Sequence, residues 1–582
     1  MLISTLSNLV DTPFKNFFKE KNFHAGELLF RQSDPVDGCH LILKGSVHGF
    51  VRDHKLERQA TLNVDFGAQD IVGIKDLIEN QNRNFSAITS GNVRTFFLSK
   101  KSFHQMQNNE RAISLFYKIA LNSLCKQTRL LDEHMASAAL MNSSIPEVNF
   151  TVSNAVLAHH EIGVFSEQWI DQLINDVAIE INKNANTLAT QTVLESNMGI
   201  QQHKILKIGL GSIEVAKTLI GKEGVGSIGK IKNGVRSINS SMGVVFGMIP
   251  ITNPVETIVF KFLSCLKSRN AIIISSHRKG RDVGLKTVQI IQALLKKHGA
   301  PINLIQASSL PANRIVTNAF MSHKDVNFIL ATGGPSMVKS AYSSGTPAIG
   351  VGRGNAPVWV CEGCDILQAT QQIINSKSFD NGIVCGSENN LLVDATILDE
   401  FVTCAKNHGA IILNDVELQL LHEELFSRGR LDSFWVGRSA EDICKHLNIQ
   451  RDNNIKLILA RVEKDNLNSP LLKEKLAPIL SLSVIDNTQQ ALTLAKNILK
   501  REGAGHTAII HCKDNALIEQ YSQAVDVNRI LVNTSGTQGC IGTTNGLELS
   551  WTLGCGTQGG GSTSDNVNYR HLMNVKRIAY AQ

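Results

Sequence analysis

The stretch GVVFGMIPITNPVETIVFKFLSCLKSRNAIIISSH, residues 243–277, decides the fold class of this chain. The apolar run before Pro250 predicts a buried strand, and Pro254 predicts the start of an amphipathic helix, because proline is favoured at the first helical position. The apolar residues on one face of that helix are Ile258, Val259, Phe262, Leu263 and Leu266. Residues 270–277 predict a second buried strand. This order is typical of a parallel sheet covered by helices.

Asn253 lies at the predicted junction between the first strand and the helix. From there its side-chain amide could donate a hydrogen bond to an oxyanion that develops during a reaction. An asparagine just before a helix also commonly caps it. The residues alone leave both roles open.

Cys385 is the candidate nucleophile, in the run FDNGIVCGSEN that starts at Phe379. Gly386 and Ser387 follow it and leave the sulfur approachable. We expect a loop-to-helix junction here, where backbone N–H groups and the helix N-terminus favour a thiolate. The chain has eleven cysteines, so the alternative is a cysteine that only fills the core.

Several ordered motifs extend this pattern along the chain. They are PITNP (250–254), ATGGPSMVKSAYSSGTPAIGVGRGNAP (331–357), FDNGIVCGSE (379–388), GHT (505–507) and TLGCGTQGGGSTSDNV (552–567). From about Glu147 to the C-terminus, the chain resembles the CoA-acylating branch of the aldehyde dehydrogenase superfamily. The resemblance implies an α/β fold with a Rossmann-like cofactor domain, an α/β catalytic domain and an oligomerisation hairpin.

The resemblance implies a reversible reaction of aldehyde, CoA and NAD(P)+ to acyl-CoA and NAD(P)H. In it Cys385 attacks the aldehyde, Asn253 and a backbone N–H hold the oxyanion, and loss of hydride leaves a thioester on the sulfur. Relatives that release free acids carry a water-activating glutamate where this chain has Val351. Without that base the CoA thiol is the expected acceptor. The alternatives are a non-acylating dehydrogenase that gives a free acid and a non-catalytic regulatory or assembly protein on the same scaffold.

Two further residues match family positions. His506 lies in the GHT motif, and the resemblance places it near the reacting sulfur at a sheet edge, where an imidazole with its ordinary pKa of about 6.5 could move the proton of the CoA thiol. A structural histidine bonded to backbone is the alternative. Glu474 matches a glutamate that binds the ribose hydroxyls of the nicotinamide nucleoside, although in KEKLAPIL it could also be a solvated charge on a helix face.

The run VNFILATGG, residues 326–334, predicts an apolar strand that ends in two glycines before a helix starting at Pro335. Backbone N–H groups at such a junction can bind a pyrophosphate. The candidate cofactor residues are Thr332, Gly333, Gly334, Ser336 and Gly352, together with Ser275 and His277 at the end of the preceding strand. Arg278 and Lys279 could reach the 2′-phosphate of NADP or face solvent, and the resemblance favours NAD.

The first 142 residues have a different character. Short apolar runs with glycines between residues 24 and 51 predict a β-roll, and residues 110–141 predict a long helix. With GELLF and LILKGSV, this segment is similar to a cyclic nucleotide-binding domain. Its phosphate cassette has Ile74 and Phe85 where a glutamate and an arginine are needed, and Arg83 is the possible substitute. We therefore expect no cyclic-nucleotide binding and favour a docking or assembly role.

Composition excludes several classes of function. The net charge is +7, but the charges are mixed and aromatic residues make up only 5%, which argues against nucleic-acid binding. No apolar stretch reaches about 18 residues and no secretory signal opens the chain, so we expect a cytoplasmic protein without a membrane span. Cys361 and Cys364 form a lone CxxC, and we expect no metal site.

We predict four segments: a β-roll at 1–142, an NAD-binding domain at 143–378, a catalytic thiol domain at 379–545 and a C-terminal return at 546–582. The Asn-Gly pair at 233 and 234 predicts a hairpin near residues 225–245. In the family such a hairpin and the C-terminal tail join subunits. The resemblance therefore implies a homodimer or a larger homo-oligomer.

Overall fold

The chain is described by a computed structural model for residues 13–50, 64–68, 70–141, 145–226, 229, 231–308, 310, 312–451 and 454–581. It divides into two compact units, Met1–Ser143 and Ser144–Gln582. Each unit is described by itself.

The described part of the amino-terminal unit contains short antiparallel strands and three α-helices. The strands are β1 (Lys19–Phe23), β2 (Leu28–Phe30), β3 (Gly38–Lys44), β4 (Val47–Phe50), β5 (Val64–Phe66), β6 (Ile71–Val72), β7 (Ser86–Thr89) and β8 (Val93–Ser99), and the helices are α1 (Ile74–Glu79), α2 (Lys100–Met106) and α3 (Glu110–Met141). The strands form two sheets, with the orders β1-β8-β3-β6 and β2-β7-β4-β5. The β-roll and the long helix predicted from the sequence are confirmed.

The carboxy-terminal unit begins with helices that later cover the first parallel sheet. They are α4 (Pro146–Ile162), α5 (Glu167–Lys183), α6 (Ala185–Ser196), α7 (Gln201–Gly209) and α8 (Val215–Leu219). A π-helical turn, Leu210–Glu214, joins α7 to α8 without a break. Such turns are rare and frequently lie at functional sites.

A five-stranded parallel sheet follows. Its elements, with the ribbon strand β9, are β9 (Val235–Ser241), β10 (Val244–Ile249), α9 (Pro254–Lys267), β11 (Ala271–Ser276), α10 (Arg281–Lys297), β12 (Ile305–Ala307), α11 (Arg314–Met321), β13 (Phe328–Thr332), α12 (Pro335–Tyr342) and β14 (Ala348–Val351). The strand order is β12-β11-β10-β13-β14. The chain moves away from β10 in both directions, so a crevice opens at the carboxyl ends of β10 and β13.

A seven-stranded parallel sheet completes the unit. Its elements are β15 (Ala356–Val360), α13 (Ile366–Ser378), β16 (Glu388–Asp394), α14 (Leu398–Asn407), β17 (Ala410–Ile412), α15 (Asp415–Leu425), α16 (Ala440–His446), β18 (Leu457–Arg461), β19 (Ile479–Ile485), α17 (Thr488–Arg501), β20 (Gly505–His511), α18 (Asn515–Ala524), β21 (Val527–Val532) and α19 (Gly536–Cys540). The strand order is β17-β18-β19-β16-β15-β20-β21. The mixed α/β fold class predicted from the sequence is confirmed.

The helix α9 differs from the sequence prediction. All fourteen of its residues are buried, so it is not amphipathic in its setting. It packs against β10 and β11 and also against α5, α10 and the π-helical turn. Its lysines are satisfied inside the protein: Lys261 Nζ donates to the carbonyl oxygens of Met248 (2.7 Å) and Leu330 (2.9 Å), and Lys267 Nζ donates to Asp171 (2.7 Å).

The predicted hairpin is present over part of its length. Asn233 and Gly234 both have positive φ, at 49° and 70°, as a tight two-residue hairpin turn requires. The hairpin strand ends at Ser241, because Val244 already belongs to β10. Residues 227, 228 and 230 of the prediction lie outside the described residues. The last strand, β22 (Met573–Ala579), pairs antiparallel with β9 along its whole length.

Candidate functional site

A cavity of about 400 Å³ lies where the loops that follow β10 and β13 meet the loop before β16 and the start of β20. Nine of the eleven candidate residues line it: Asn253, His277, Thr332, Gly333, Gly334, Gly352, Cys385, Glu474 and His506. Ser275 and Ser336 are not among its lining residues. Residues that are distant in sequence therefore meet in one place.

Cys385 lies in the loop that joins a 3-10 turn, Phe379–Gly382, to β16. The expected loop-to-helix junction is wrong, because the chain continues from Gly386 into a strand of the seven-stranded sheet. The pKa of the Cys385 thiol is raised to about 12, first by burial and then by Glu474, against the lowering effect of Arg529. The resting thiol is therefore protonated at neutral pH and needs a base before it can attack a carbonyl.

A neighbouring loop holds Cys385 from the other side. A Cβ atom added to Gly354 would lie 1.7 Å from the carbonyl oxygen of Cys385, which only glycine allows. The Gly354 N–H donates to Glu474 Oε1 at 3.0 Å. The motif GVGRGNAP thus fixes both the nucleophile and the carboxyl group.

A cluster of buried charges lies under the loop that precedes Cys385. Asp380 Oδ2 accepts hydrogen bonds from Lys204 Nζ at 2.8 Å and Lys207 Nζ at 2.6 Å. Glu256 Oε1 lies 3.2 Å from Lys207 Nζ. Burial by itself would raise the pKa of Asp380, but Lys207 and Lys204 outweigh it and hold the pKa below its ordinary range. Two cations and two anions balance inside the protein, as buried charges require.

The same cluster reaches the loop that carries Asn253. Lys204 Nζ and Lys207 Nζ also donate to the carbonyl oxygen of Thr252, at 3.1 and 3.3 Å. Asp380 and Asn381 adopt left-handed backbone conformations, with φ of 51° and 54°. Such conformations are uncommon for residues other than glycine and persist where the surroundings impose them.

Asn253 immediately precedes α9, but its side chain makes no capping hydrogen bond. The helix-cap alternative is therefore wrong. Within the described residues its Oδ1 atom is buried and has no hydrogen-bond partner. Buried polar atoms are normally paired, so this oxygen is available to accept a hydrogen bond from a ligand in the cavity.

His506 is the second residue of β20, which pairs with β15 on one side and β21 on the other. It lies near the end of an interior strand and not on an edge strand. Burial lowers the pKa of His506 to about 3, and the Arg529 guanidinium adds to this effect. The imidazole is neutral at physiological pH, so the assumption of an ordinary pKa was wrong.

Glu474 lies in an extended segment after a 3-10 turn, Pro470–Leu472, so the alternative of a charge on a helix face is wrong. The pKa of its carboxyl group is raised to about 8, first by burial and then by Glu502. A base with a pKa near the working pH is suited to proton transfer. Of the two groups, Glu474 has the higher pKa and is therefore the stronger base.

The cofactor side of the cavity is the crevice at the ends of β10 and β13. Gly334 precedes α12, whose first residue is Pro335, as the sequence predicts. The Thr332 Oγ1 atom is buried and has no hydrogen-bond partner among the described residues. A Cβ atom on Gly334 would have nothing within 4 Å, so its backbone is open to a ligand. These features fit a dinucleotide whose pyrophosphate lies at the start of a helix.

The remaining cofactor candidates lie around this crevice. Ser275 is half-buried near the end of β11, and Ser336 is exposed in the first turn of α12. The His277 Nδ1 atom accepts a hydrogen bond from the backbone N–H of Lys279 at 3.2 Å. Arg278 and Lys279 are exposed beside it.

Sequence reasoning missed Arg529 and Asp380. Arg529 lies in β21 and is buried, and its guanidinium donates to the carbonyl oxygens of Gly554 (2.5 Å) and Gly505 (3.5 Å). The sequence held one indication of Arg529, which is an arginine among the apolar residues of a strand. Arginine is almost never fully buried unless it is paired, so such a position indicates a special contact. Asp380 was in a quoted motif, but nothing in that motif showed that two distant lysines would reach it.

In the amino-terminal unit, Arg83 cannot serve as a phosphate ligand while it keeps its present partners. Its guanidinium donates to Asp37 Oδ1 and to the Gly38 carbonyl oxygen, both at 2.6 Å, and stacks 4.1 Å from the ring centre of Phe30. Phe85 also fills this region and packs on Phe30. The geometry therefore does not support Arg83 as a replacement for the phosphate-binding arginine that the cassette lacks.

Two features are absent from the part of the chain that the structure describes. In that part of the chain, no helix combines the length and apolarity needed to cross a bilayer. No group of three or more histidine, cysteine, aspartate or glutamate side chains is arranged there to hold a metal ion.

Comparison with known proteins agrees with this architecture. The profile of the Aldehyde dehydrogenase family matches residues 131–411, and the profile of the Cyclic nucleotide-binding domain matches residues 20–110. The succinate-semialdehyde dehydrogenase (acetylating) of Clostridium kluyveri is 34% identical over 74% of this chain and 94% of its own. The bifunctional aldehyde-alcohol dehydrogenase of Escherichia coli is 34% identical over 75% of this chain. This chain spans only 50% of that relative's length.

Solved structures show the same likeness. An acetylating aldehyde dehydrogenase from Geobacillus thermoglucosidasius is 37% identical, with a TM-score of 0.73 over 75% of this chain and 97% of its own. A propionaldehyde dehydrogenase from Rhodopseudomonas palustris, solved with bound CoA and an acylated cysteine, is 27% identical, with a TM-score of 0.67 over 74% of this chain and 97% of its own. The fold defines an α/β protein of two parallel sheets, with a thiol-containing cavity between the loops of the two sheets. The chain belongs to the aldehyde dehydrogenase family, with a cyclic nucleotide-binding domain in front.

Proposed function

We propose that this chain is a CoA-acylating aldehyde dehydrogenase that interconverts aldehyde, CoA and NAD(P)+ with acyl-CoA and NAD(P)H. The observation that carries the proposal is the cavity in which Cys385, Asn253 and His506 meet, with Val351 in its wall. The buried Val351 side chain stands where acid-forming relatives have their water-activating glutamate. Acetylating enzymes among the relatives support the same assignment.

In the proposed mechanism, Glu474 accepts the proton of the Cys385 thiol. The thiolate sulfur then forms a bond to the aldehyde carbon, and the electron pair of the C=O bond moves to oxygen. Asn253 holds that oxyanion through its amide. Thr332 and Gly334 would hold NAD(P)+ at the crevice, where it would supply the hydride acceptor for oxidation of the thiohemiacetal to a thioester.

The CoA thiol then attacks the thioester carbon, and Cys385 leaves as a thiolate. Neutral His506 can accept the proton of the CoA thiol, although its low pKa makes it a weak base. Thr332, Gly333, Gly334, Ser336, Gly352, Ser275 and His277 are proposed to bind the cofactor, with Glu474 also close to the nicotinamide ribose. We propose NAD as the natural cofactor, and the exposed Arg278 and Lys279 are the residues through which NADP would bind.

The position of Glu474 in the cavity supports a second candidate function, that of a dehydrogenase that releases a free acid. Its carboxyl group lines the cavity with a raised pKa and could activate water. Aldehyde-dependent NADH formation with and without CoA separates the two functions. Strict dependence on CoA supports the acylating enzyme, and equal rates without CoA support the hydrolytic one. Cys385→Ser should remove turnover in either case, and full activity of this variant would refute the role of Cys385 in both enzymes. Absence of turnover by the unmodified chain, with and without CoA, would favour a non-catalytic assembly protein.

We propose that the amino-terminal unit does not bind cyclic nucleotides, because Arg83 and Phe85 fill the region of the cassette. Calorimetric titration with cyclic AMP is expected to show no binding at micromolar concentrations. A Kd below about 1 μM would overturn this proposal.

We also propose that β9 and β22 join two copies of the chain. In the described part of the ribbon β22 pairs with β9 on one side only, and six of its residues, 574–579, are exposed. An exposed edge strand is a template for further pairing. Light scattering is expected to give a dimer or larger assembly, and deletion of residues 573–582 should reduce it to monomers.

The domain limits remain proposals. Because β15 joins the second sheet, we place the end of the cofactor domain before Ala356 rather than at residue 378.

A further inference from the structure

We infer that a second, apolar cavity beside the catalytic one binds the hydrocarbon chain of the substrate, so the preferred aldehyde carries an uncharged alkyl chain of several carbons. The inference rests on the proposed function and names its substrate class. The second cavity has a volume of about 470 Å³. It shares Val384, Ile541 and Trp551 with the wall of the catalytic cavity. A chain attached to a carbonyl at Cys385 therefore lies beside the apolar wall that the two cavities share.

One wall of this cavity, which we name the acyl groove, comes from α7 and the π-helical turn. Ile205, Leu206, Leu210 and Ile213 line it, and Leu206 is 58% exposed. A π-helical turn inserts one extra residue and shifts the side chains that follow it. Exposed apolar side chains beside a cavity commonly mark a ligand-binding groove.

The charges around the acyl groove argue against an anionic substrate. Among the described residues, the charged side chains that line it are Lys207 and Glu214. Lys207 is already paired with Asp380 and Glu256, at 2.6 and 3.2 Å. Glu214 would repel a carboxylate or sulfonate at the end of a substrate, and it pairs only with the exposed Lys217.

Among the described residues, no other cation lines the acyl groove. Arg353 and Arg430 line the catalytic cavity instead, and both donate to one oxygen, Glu502 Oε1, at 2.8 Å. His277 and His506 have pKa values lowered first by burial, so they are neutral at pH 7. A succinyl or sulfoacetyl group would therefore lose its hydration without gaining an ion pair.

The test is reduction of acyl-CoA by the full chain with NADH and NADPH. Each buried methylene should raise kcat/KM about threefold to fourfold, so hexanoyl-CoA should exceed acetyl-CoA by roughly fiftyfold or more. Hexanoyl-CoA should exceed succinyl-CoA by a similar factor. Equal use of acetyl-CoA and hexanoyl-CoA, or preference for succinyl-CoA, would overturn the inference while leaving the acylating function intact.

Two variants examine the acyl groove directly. Ile213→Trp should lower the ratio of hexanoyl-CoA to acetyl-CoA kcat/KM at least tenfold, whereas Leu194→Trp, an exposed leucine outside the groove, should leave it unchanged. Glu214→Lys should raise relative activity on succinyl-CoA severalfold. An unchanged ratio in Ile213→Trp would refute the assignment of the groove.

A measurement that needs no turnover separates failure of the inference from failure of the proposed function. Hexanal should protect Cys385 from iodoacetamide at lower concentrations than acetaldehyde or succinate semialdehyde, and Ile213→Trp should remove that advantage. If no acyl-CoA is reduced but hexanal still protects selectively, the proposed function fails and the groove stands. If protection shows no preference for hexanal, the groove fails whatever the turnover.

Discussion

Gly354→Ala tests whether the neighbouring loop sets the position of Cys385. The added methyl group would lie 1.7 Å from the Cys385 carbonyl oxygen, whereas contacts below 3.0 Å essentially never occur, so one loop must move by at least about 1.3 Å. Both atoms of the clash belong to the backbone or are fixed to it, and no side-chain rotation relieves it. A displacement of about 1 Å at a reacting group can cost roughly 100-fold in rate. We therefore expect kcat/KM to fall by about two orders of magnitude.

The assay is aldehyde-dependent NADH formation, with the rate of iodoacetamide alkylation of Cys385 as a direct probe of the sulfur. Gly546→Ala is the matched control, because an added Cβ there has nothing within 4 Å. Circular dichroism should show that both variants fold. A folded Gly354→Ala variant with kcat/KM and alkylation within twofold of the unmodified chain would refute the argument that this contact positions the nucleophile.

Three other predictions follow from the buried charges. Asp380→Asn leaves Lys204 and Lys207 without their shared carboxylate and should lower the free energy of unfolding by about 3–5 kcal/mol, measured with urea; a loss below 1 kcal/mol would contradict it. Alkylation of Cys385 should accelerate about tenfold per pH unit from pH 7 to 10, because its raised pKa keeps the thiol protonated; a plateau below pH 9 would show that the thiolate forms earlier. Arg529→Met should slow alkylation of Cys385 by roughly two- to tenfold relative to the unmodified chain, because a nearby cation favours the thiolate. Arg529→Lys should restore part of that rate. Equal rates in the unmodified chain and both variants would exclude this effect.

The local signals in the sequence were reliable where a single residue type determines the backbone. Pro254 and Pro335 mark helix starts because proline fits the first helical position. Asn233 and Gly234 mark the hairpin because both must adopt positive φ. These features depend on neighbours a few residues away, so the sequence alone predicted them.

Predictions that depended on distant packing were less accurate. The segment after Cys385 becomes a strand because β15 and β19 lie on either side of it, which no local pattern shows. The helix α9 looked amphipathic, but helices from residues 146–219 cover its polar face. The ordinary pKa assumed for His506 was wrong for the same reason, since its burial comes from segments far away in sequence.

The buried charge cluster explains how a site drawn from several segments keeps one geometry. Lys204 and Lys207 bind Asp380, five residues before Cys385, and they also bind the carbonyl of Thr252, one residue before Asn253. The nucleophile loop and the loop with the oxyanion donor are therefore anchored to the same two ammonium groups. Because the left-handed turn at Asp380 is costly by itself, these contacts must maintain it. A buried ionic cluster adds little net stability, so its role here is best understood as fixing the distance between the two loops.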